Sequence, residues 1–212
     1  MAAGKSTFPQ APGGSGQVYL VDDDEAIRDS LSLLFRSRGV NVCAFASGEA
    51  FLAALDGEAA GCIVLDIRMG GASGIAVFDD LRTRHCRLPV IFLTGHGDVP
   101  MAVTALKKGA FDFVEKPFND NELVDRVLQA LERDARARDA EVGEATVAAR
   151  LDTLSPRERE VMGCVLQGKL NKVIADELAI SMRTVEVHRA RIFAKMGVKS
   201  AVELAQLLAG AR

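Results

Sequence analysis

Four strand-like runs of this chain, three of them apolar, each lead into a residue that can do chemistry. Val18–Val21 leads into Asp22-Asp23-Asp24, Cys62–Leu65 into Asp66, Pro89–Leu93 into Thr94, and Phe111–Glu115 into Lys116-Pro117. If the runs are parallel strands of one sheet, their ends gather several carboxylates, a hydroxyl and an ammonium on one edge. Carboxylates that close repel one another and must protonate unless a cation joins them. A hard divalent ion answers this, and Mg²⁺ favours one or two carboxylates together with water and phosphate oxygens. The set then suits phosphoryl transfer, with Asp66 as nucleophile. Lys116 would pair with one phosphoryl oxygen, and the Thr94 hydroxyl would bond another. Acidic residues at strand-to-helix turns also serve as helix N-caps, and Asp24 is read that way. The signal is the joint placement of Asp66, Thr94 and Lys116, not any one acid.

The elements that must position these residues follow a repeating pattern. After the first strand, Ile27, Leu31 and Leu34 mark one face of a helix over Glu25–Arg38, with Gly39 as its stop. A strand near Asn41–Phe45, a helix Ser47–Leu55 capped by Ser47 and a strand Cys62–Asp66 come next. Then follow a helix Gly74–Thr83, a strand Pro89–Thr94, a helix Val99–Lys108, a strand Phe111–Glu115 and a helix Asp120–Arg133, with Asn119 and Glu122 spaced as a capping box. Five such β-α units predict an α/β flavodoxin-like fold with strand order 2-1-3-4-5 and helices on both faces. Ligands of such sheets bind outside the carboxyl ends of strands 1 and 3, where Asp22 and Asp66 fall.

The wording of these segments is specific. Val21-Asp22-Asp23-Asp24, Val64-Leu65-Asp66-Ile67-Arg68-Met69, Leu93-Thr94-Gly95-His96-Gly97-Asp98-Val99-Pro100 and Glu115-Lys116-Pro117-Phe118 resemble receiver domains of the FixJ subgroup of response regulators. The resemblance covers residues 17–131. It implies Asp66 as the phosphorylation site, with Mg²⁺ held by Asp22, Asp23, Asp66 and the backbone carbonyl of Arg68. It further implies phosphoryl binding by Thr94 and Lys116, a cis Lys116–Pro117 bond, and a switch pair of Thr94 with Phe113. The surface around Met101, Val103, Leu106, Lys107 and Asp112, on the fourth helix and fifth strand, becomes the expected homodimer face. One departure stands out: this chain reads Gly70-Gly71 where the family usually has proline after Arg-Met. Two adjacent glycines predict a looser loop.

The back half differs in charge and in pattern. Residues 151–212 hold ten Lys/Arg and seven Asp/Glu, a balance of +3, which leaves −6 of the total −3 on residues 1–150. An acidic front and a basic back suggest two domains, with nucleic acid as partner of the second. Residues 132–150 are charged and alanine-rich, and their composition permits either an exposed helix or a tether. Four helices follow, over about Pro156–Gln167, Asn171–Leu178, Met182–Lys195 and Ala201–Ala209. Only Ala179-Ile180-Ser181 joins the second to the third, which is helix-turn-helix spacing. The segments Leu154 to Val161, Asn171 to Ala175, Arg183 to Arg189 and Lys195 to Ser200 resemble the LuxR-type module of FixJ and NarL regulators. The resemblance implies a small all-α four-helix domain over residues 151–212 that binds double-stranded DNA. Glu186, Val187 and Ala190 would face base edges, while Lys172, Arg183, Thr184, His188, Arg191 and Lys195 would hold phosphates.

Composition sets the outer bounds. With 49% hydrophobic and 26% charged residues, the chain has the balance of a globular protein. Its apolar runs fall far short of the roughly 20 residues a membrane span needs. Residues 1–16 are rich in Ala, Gly, Ser and Pro without the apolar core of a secretory signal, so a floppy tail and a cytoplasmic protein are expected. Gly4-Lys5-Ser6 lacks the upstream glycine of a phosphate-binding loop. Cys43, Cys62, Cys86 and Cys164 form no C-x-x-C pair, so neither a disulfide framework nor a zinc site is expected. The expected partner of the front half is a sensor histidine kinase. A phosphatase of the haloacid dehalogenase type is the enzymatic rival, but Ala26 stands where its D-x-D-x-T motif needs threonine. A regulator that works without phosphorylation is the other.

Overall fold

The computed structural model describes residues 16–95 and 99–210. The tail, apart from Gly16, and the His96-Gly97-Asp98 stretch of the fourth family-like segment lie outside the described residues. The chain divides into two compact units, one running to Ala137 and one from Arg138.

The first unit is a five-stranded parallel sheet in the order β2-β1-β3-β4-β5. Its strands are β1 (Gln17–Val21), β2 (Asn41–Phe45), β3 (Gly61–Asp66), β4 (Val90–Thr94) and β5 (Asp112–Glu115), and its helices are α1 (Glu25–Ser37), α2 (Gly48–Ala54), α3 (Gly74–Thr83), α4 (Val99–Lys107) and the start of α5 (Asp120–Asp152). Every residue of β1, β3 and β4 is buried, whereas the edge strands β2 and β5 are only partly covered. The unbroken apolar runs of the sequence are therefore the central strands, covered on both faces. Alternate residues face opposite cores. Tyr19, Val21, Ile63, Leu65 and Phe92 pack with Phe51, Val77 and Phe78, while Val18, Leu20, Val64 and Leu93 pack with Phe35, Leu123 and Val127.

The helix starts are built as the caps in the sequence indicate. Asp24 accepts from the Ala26 and Ile27 amides, Ser47 from Ala50, and Ser73 from Ala76. Asn119 accepts from the amides of Asn121 and Glu122. The reciprocal capping box forms at Ser155, with the Glu158 carboxylate returning to the Ser155 amide. The Lys116–Pro117 peptide is cis.

The helix expected over Asp120–Arg133 runs on to Asp152, so residues 132–150 lie within α5. Two contacts account for order in a segment that reads as polar. The Asp134 carboxylate is buried and accepts from the Gly61 amide at the start of β3, 2.9 Å away. Further along, Val147 is buried in the core of the second unit.

Gly74 brings α3 onto the end of β3. Its amide donates to the Ile67 carbonyl at 3.0 Å, and a Cβ placed there would sit 2.1 Å from the Asp66 carbonyl oxygen. A backbone atom cannot swing away as a side chain can. Gly74→Ala is therefore expected to destabilise the first unit by about 3 kcal/mol, read as a lower denaturant midpoint in urea.

The second unit packs the end of α5 with α6 (Pro156–Leu166), α7 (Asn171–Glu177), α8 (Met182–Met196) and α9 (Ala201–Ala209). Val161, Val165, Ile174, Val185, Ile192, Met196 and Leu204 form its centre.

Candidate functional site: a carboxylate pocket and a nucleic-acid interface

The strand ends converge as their sequence positions require. One carboxylate oxygen from each of Asp22, Asp23 and Asp66 lies within 4.8 Å of the others. Asp22 is buried, its Oδ1 accepting from the Asp24 amide at 2.9 Å and its Oδ2 from Lys116 Nζ at 3.0 Å. Lys116 Nζ also donates to Asp66 Oδ1 at 2.8 Å, so one ammonium bridges the first and third strands of the chain. Register explains the reach: Asp66 pairs with Leu93, Thr94 with Glu115, and the Lys116 amide donates to the Thr94 carbonyl at 2.7 Å.

Electrostatics within the pocket are finely opposed. Burial pushes the Asp66 carboxyl above its ordinary range, against the bond and charge of Lys116 and the Arg68 amide, which pull it down. For Lys116 burial pulls downward, but bonds from Asp66 and Asp22 together with their charges prevail and hold the ammonium above its ordinary value. Three carboxylates against one ammonium leave a net negative pocket, and that donor set fits a small hard cation.

Thr94 is fully buried, and its hydroxyl donates to the Gly95 carbonyl at 3.2 Å. Phe113 is half-buried, packs against the core and stands in register with Phe92. The Gly70-Gly71 loop is tethered, contrary to the looseness expected of two glycines. The Gly70 amide donates to Asp23 Oδ2 at 2.8 Å, and the Ala72 amide to Glu49 Oε1 at 2.9 Å. The second bond holds the Glu49 carboxyl below its usual range. Proline at position 70 has no amide to offer Asp23, so this tether depends on the departure itself. Glu49 gave no sequence signal, because its role depends on a loop amide 23 residues away.

On α4, Met101 and Val103 are 42% and 39% exposed, large apolar groups in water beside the exposed Lys107. Leu106 is half-buried, and Asp112 of β5 pairs with Arg126.

In the second unit, α8 begins at Met182 with Ser181 as its cap, accepting from the Thr184 amide at 3.1 Å. Buried Val185, Ile192 and Met196 seat one face on the core. Lys172, Arg183, Glu186, Val187, Ala190 and Arg191 are exposed, and Thr184 is half-buried with its hydroxyl against that of Ser181. His188 is half-buried, and its Nδ1 is a buried atom with no hydrogen-bond partner. Lys195 is exposed, and its ammonium lies 2.6 Å from Glu158 Oε2 and 2.8 Å from the Thr153 carbonyl. The Ser155-x-x-Glu158 spacing is the signal that could have located Glu158 in advance.

Among the described residues, no helix is long and apolar enough to cross a membrane. The four cysteines are free thiols.

Comparison with known proteins agrees with both halves. Residues 18–128 match the response regulator receiver domain family, and residues 152–208 match the luxR family of bacterial regulatory proteins. The C4-dicarboxylate transport transcriptional regulatory protein DctR of Rhodobacter capsulatus is 52% identical over 193 residues, spanning 90% of this chain and 98% of that protein. The transcriptional regulatory protein FixJ of Bradyrhizobium diazoefficiens is 45% identical over 192 residues, 91% of this chain and 94% of that one. Among solved structures, the response regulator StyR aligns with a TM-score of 0.83 at 39% identity over 92% of this chain and 98% of its own. Full-length FixJ from B. japonicum aligns at 0.61 and 44% identity, over 94% of this chain and 98% of its own. The chain is thus a member of the response regulator family, a transcription regulator that joins a receiver domain to a LuxR-type DNA-binding domain.

Proposed function

We propose that Asp66 accepts a phosphoryl group from a sensor histidine kinase and that the phosphorylated protein dimerises and binds DNA. The observation that carries this is the Lys116 ammonium bridging Asp66 and Asp22, with three carboxylates drawn within 4.8 Å. In the transfer, an Asp66 carboxylate oxygen bonds to phosphorus as the bond from phosphorus to the kinase imidazole nitrogen breaks. The electron pair leaves with that nitrogen. Asp22, Asp23, Asp66 and the Arg68 carbonyl are the residues that would hold Mg²⁺, which when bound neutralises charge on the carboxylate and the incoming group. Lys116 then keeps one phosphoryl oxygen. Thr94 turns its hydroxyl from the Gly95 carbonyl to another, and Phe113 follows into the space released. Beyond acceptance and loss of its own phosphoryl group the protein is not an enzyme, and we place it in the cytoplasm. The haloacid-dehalogenase reading makes Asp22 the nucleophile, but Ala26 stands where that motif needs threonine.

The α4–β5 face supplies the dimer contact, through exposed Met101 and Val103. Measuring solution mass with Mg²⁺, before and after beryllofluoride, tests the reading. We expect monomer to become dimer in wild type and not in Asp66→Asn. Monomer throughout would overturn phosphorylation-driven dimerisation, and a shift in both would reject Asp66 as the switch. Met101→Lys is expected to raise the dimer dissociation constant at least about tenfold, since it places a charge in a desolvated contact.

For DNA, Glu186, Val187 and Ala190 on exposed turns of α8 face the bases, with Glu186 able to accept from a cytosine amine. Lys172, Arg183, Thr184, His188 and Arg191 take the phosphates. Lys195 is withdrawn from that group, because its ammonium is held by Glu158 and Thr153. Lys172→Ala and Arg191→Ala should each flatten the slope of log affinity against log salt by about one, whereas Lys195→Met should leave the slope unchanged. Titrating a duplex of mixed sequence at several salt concentrations checks this, and an equal change for all three would return Lys195 to the phosphate set.

A further inference from the structure

The end of α7 just ahead of α8, and the exit of α8 itself, are bonded by cationic groups that resemble phosphate binders. At its entry, Arg157 of α6 donates to the Leu178 carbonyl, which closes α7 ahead of the turn. At its exit, Gly197 takes the left-handed conformation at φ 68°, and the chain folds back with the Val198 amide on the Phe193 carbonyl. Arg150, in the last turn of α5, donates Nη1 to the Met196 carbonyl at 2.8 Å. That same nitrogen lies 3.0 Å from where a Cβ on Gly197 would stand, so the guanidinium rests on the bare Cα. Lys195 answers from the opposite direction, donating from α8 to the Thr153 carbonyl just past the end of α5. Val147, Leu151 and Leu154 pack in the core that holds Val185, Ile192 and Met196. The end of α5 is therefore a wall of the DNA-binding unit, although the family match begins only at residue 152.

We propose that Arg150 is a positioning residue for α8: by fixing the Met196 end it sets the register in which Glu186, Val187 and Ala190 meet the bases. The proposal rests on the reading of α8 as the recognition helix. A cation on a helix C-terminus is electrostatically favourable, and a guanidinium fork adds direction to that attraction. Base edges are read by short, directional contacts, so a small displacement of the helix weakens them. Phosphate contacts are made by long cationic side chains that can follow such a displacement. Loss of Arg150 should accordingly lower discrimination between sequences more than it lowers affinity for DNA as such.

The test uses the full chain with Mg²⁺ and beryllofluoride. The probes are a duplex selected by the wild type from a random library and a scrambled duplex of the same length. Arg150→Met keeps an unbranched apolar side chain and removes the donors, while Arg150→Lys keeps a donor. We expect Arg150→Met to reduce the ratio of selected to scrambled affinity about tenfold, with the salt slope on the scrambled duplex unchanged. Arg150→Lys should hold the ratio within about threefold of wild type, since its ammonium still reaches a carbonyl. An unchanged ratio in Arg150→Met would overturn the proposal. So would an equal fall on both probes with a flatter salt slope, which would make Arg150 a phosphate contact. A wild type that selects no sequence would instead overturn the reading of α8 itself, and the proposal with it.

Discussion

Asp66→Asn is expected to abolish covalent uptake of phosphate from a small phosphodonor with Mg²⁺, measured as the mass of the intact protein. The asparagine amide carries no charge to attack phosphorus and cannot form the acyl phosphate, so the loss should be complete. The fold should persist. Burial already works against a charge at Asp66, and a neutral isostere removes that penalty. Lys116 would keep its bond to Asp22, leaving the ammonium paired. Thermal unfolding of the mutant within a few degrees of wild type, together with absent phosphate, is the predicted pair of results. Retained uptake in Asp66→Asn would move the acceptor to Asp22 or Asp23.

Glu158→Ala should have the largest effect on the second unit. Glu158 is 3% exposed and serves two partners at once, closing the capping box of α6 and holding Lys195 of α8. The Lys195 bond, then the Ser155 amide, hold its carboxyl down at about 2 against an ordinary 4.5. A depressed carboxylate stabilises the fold fully above its unfolded value and loses that contribution as pH falls toward the folded one. The stabilisation should be intact above pH 4.5 and fade as pH drops to about 2. Its size is on the order of 2–3 kcal/mol. Glu158→Ala should lower stability at neutral pH by about that much and flatten the acid limb of the second unit's melting curve. Hydrogen exchange of α8 amides reads the unit directly. An acid limb identical to wild type would show that the carboxylate carries no such load.

Much of this was legible in the sequence because the relevant signals are local. Burial on both faces made the central strands continuous apolar runs, and parallel topology then forced Asp22, Asp66, Thr94 and Lys116 to one edge. The caps at Asp24, Ser47 and Ser181 read directly, since each needs only its own next few residues. What escaped depends on distant partners. Composition leaves residues 132–150 open between an exposed helix and a tether, and the helix is fixed only where Asp134 finds the Gly61 amide and Val147 finds the core of the second unit. The Gly70 loop looks slack until the Asp23 and Glu49 carboxylates take its amides. The bond of Lys195 to Glu158 was not legible either, because charge pattern alone cannot reveal a buried glutamate 37 residues earlier. Helix-turn-helix spacing located α8, whereas the guanidinium on its Met196 end had to be seen in three dimensions.

Phosphorylation of Asp66 is proposed to govern DNA binding by α8. The most direct measurement is the affinity of the full chain for a duplex it selects, with Mg²⁺ alone and with Mg²⁺ and beryllofluoride, in wild type and Asp66→Asn. Wild type should bind at least about tenfold more tightly with beryllofluoride, because two linked reading units engage two half-sites, and Asp66→Asn should be indifferent to it. Equal affinity in wild type under both conditions would contradict the account and leave a DNA-binding protein that works without its receiver.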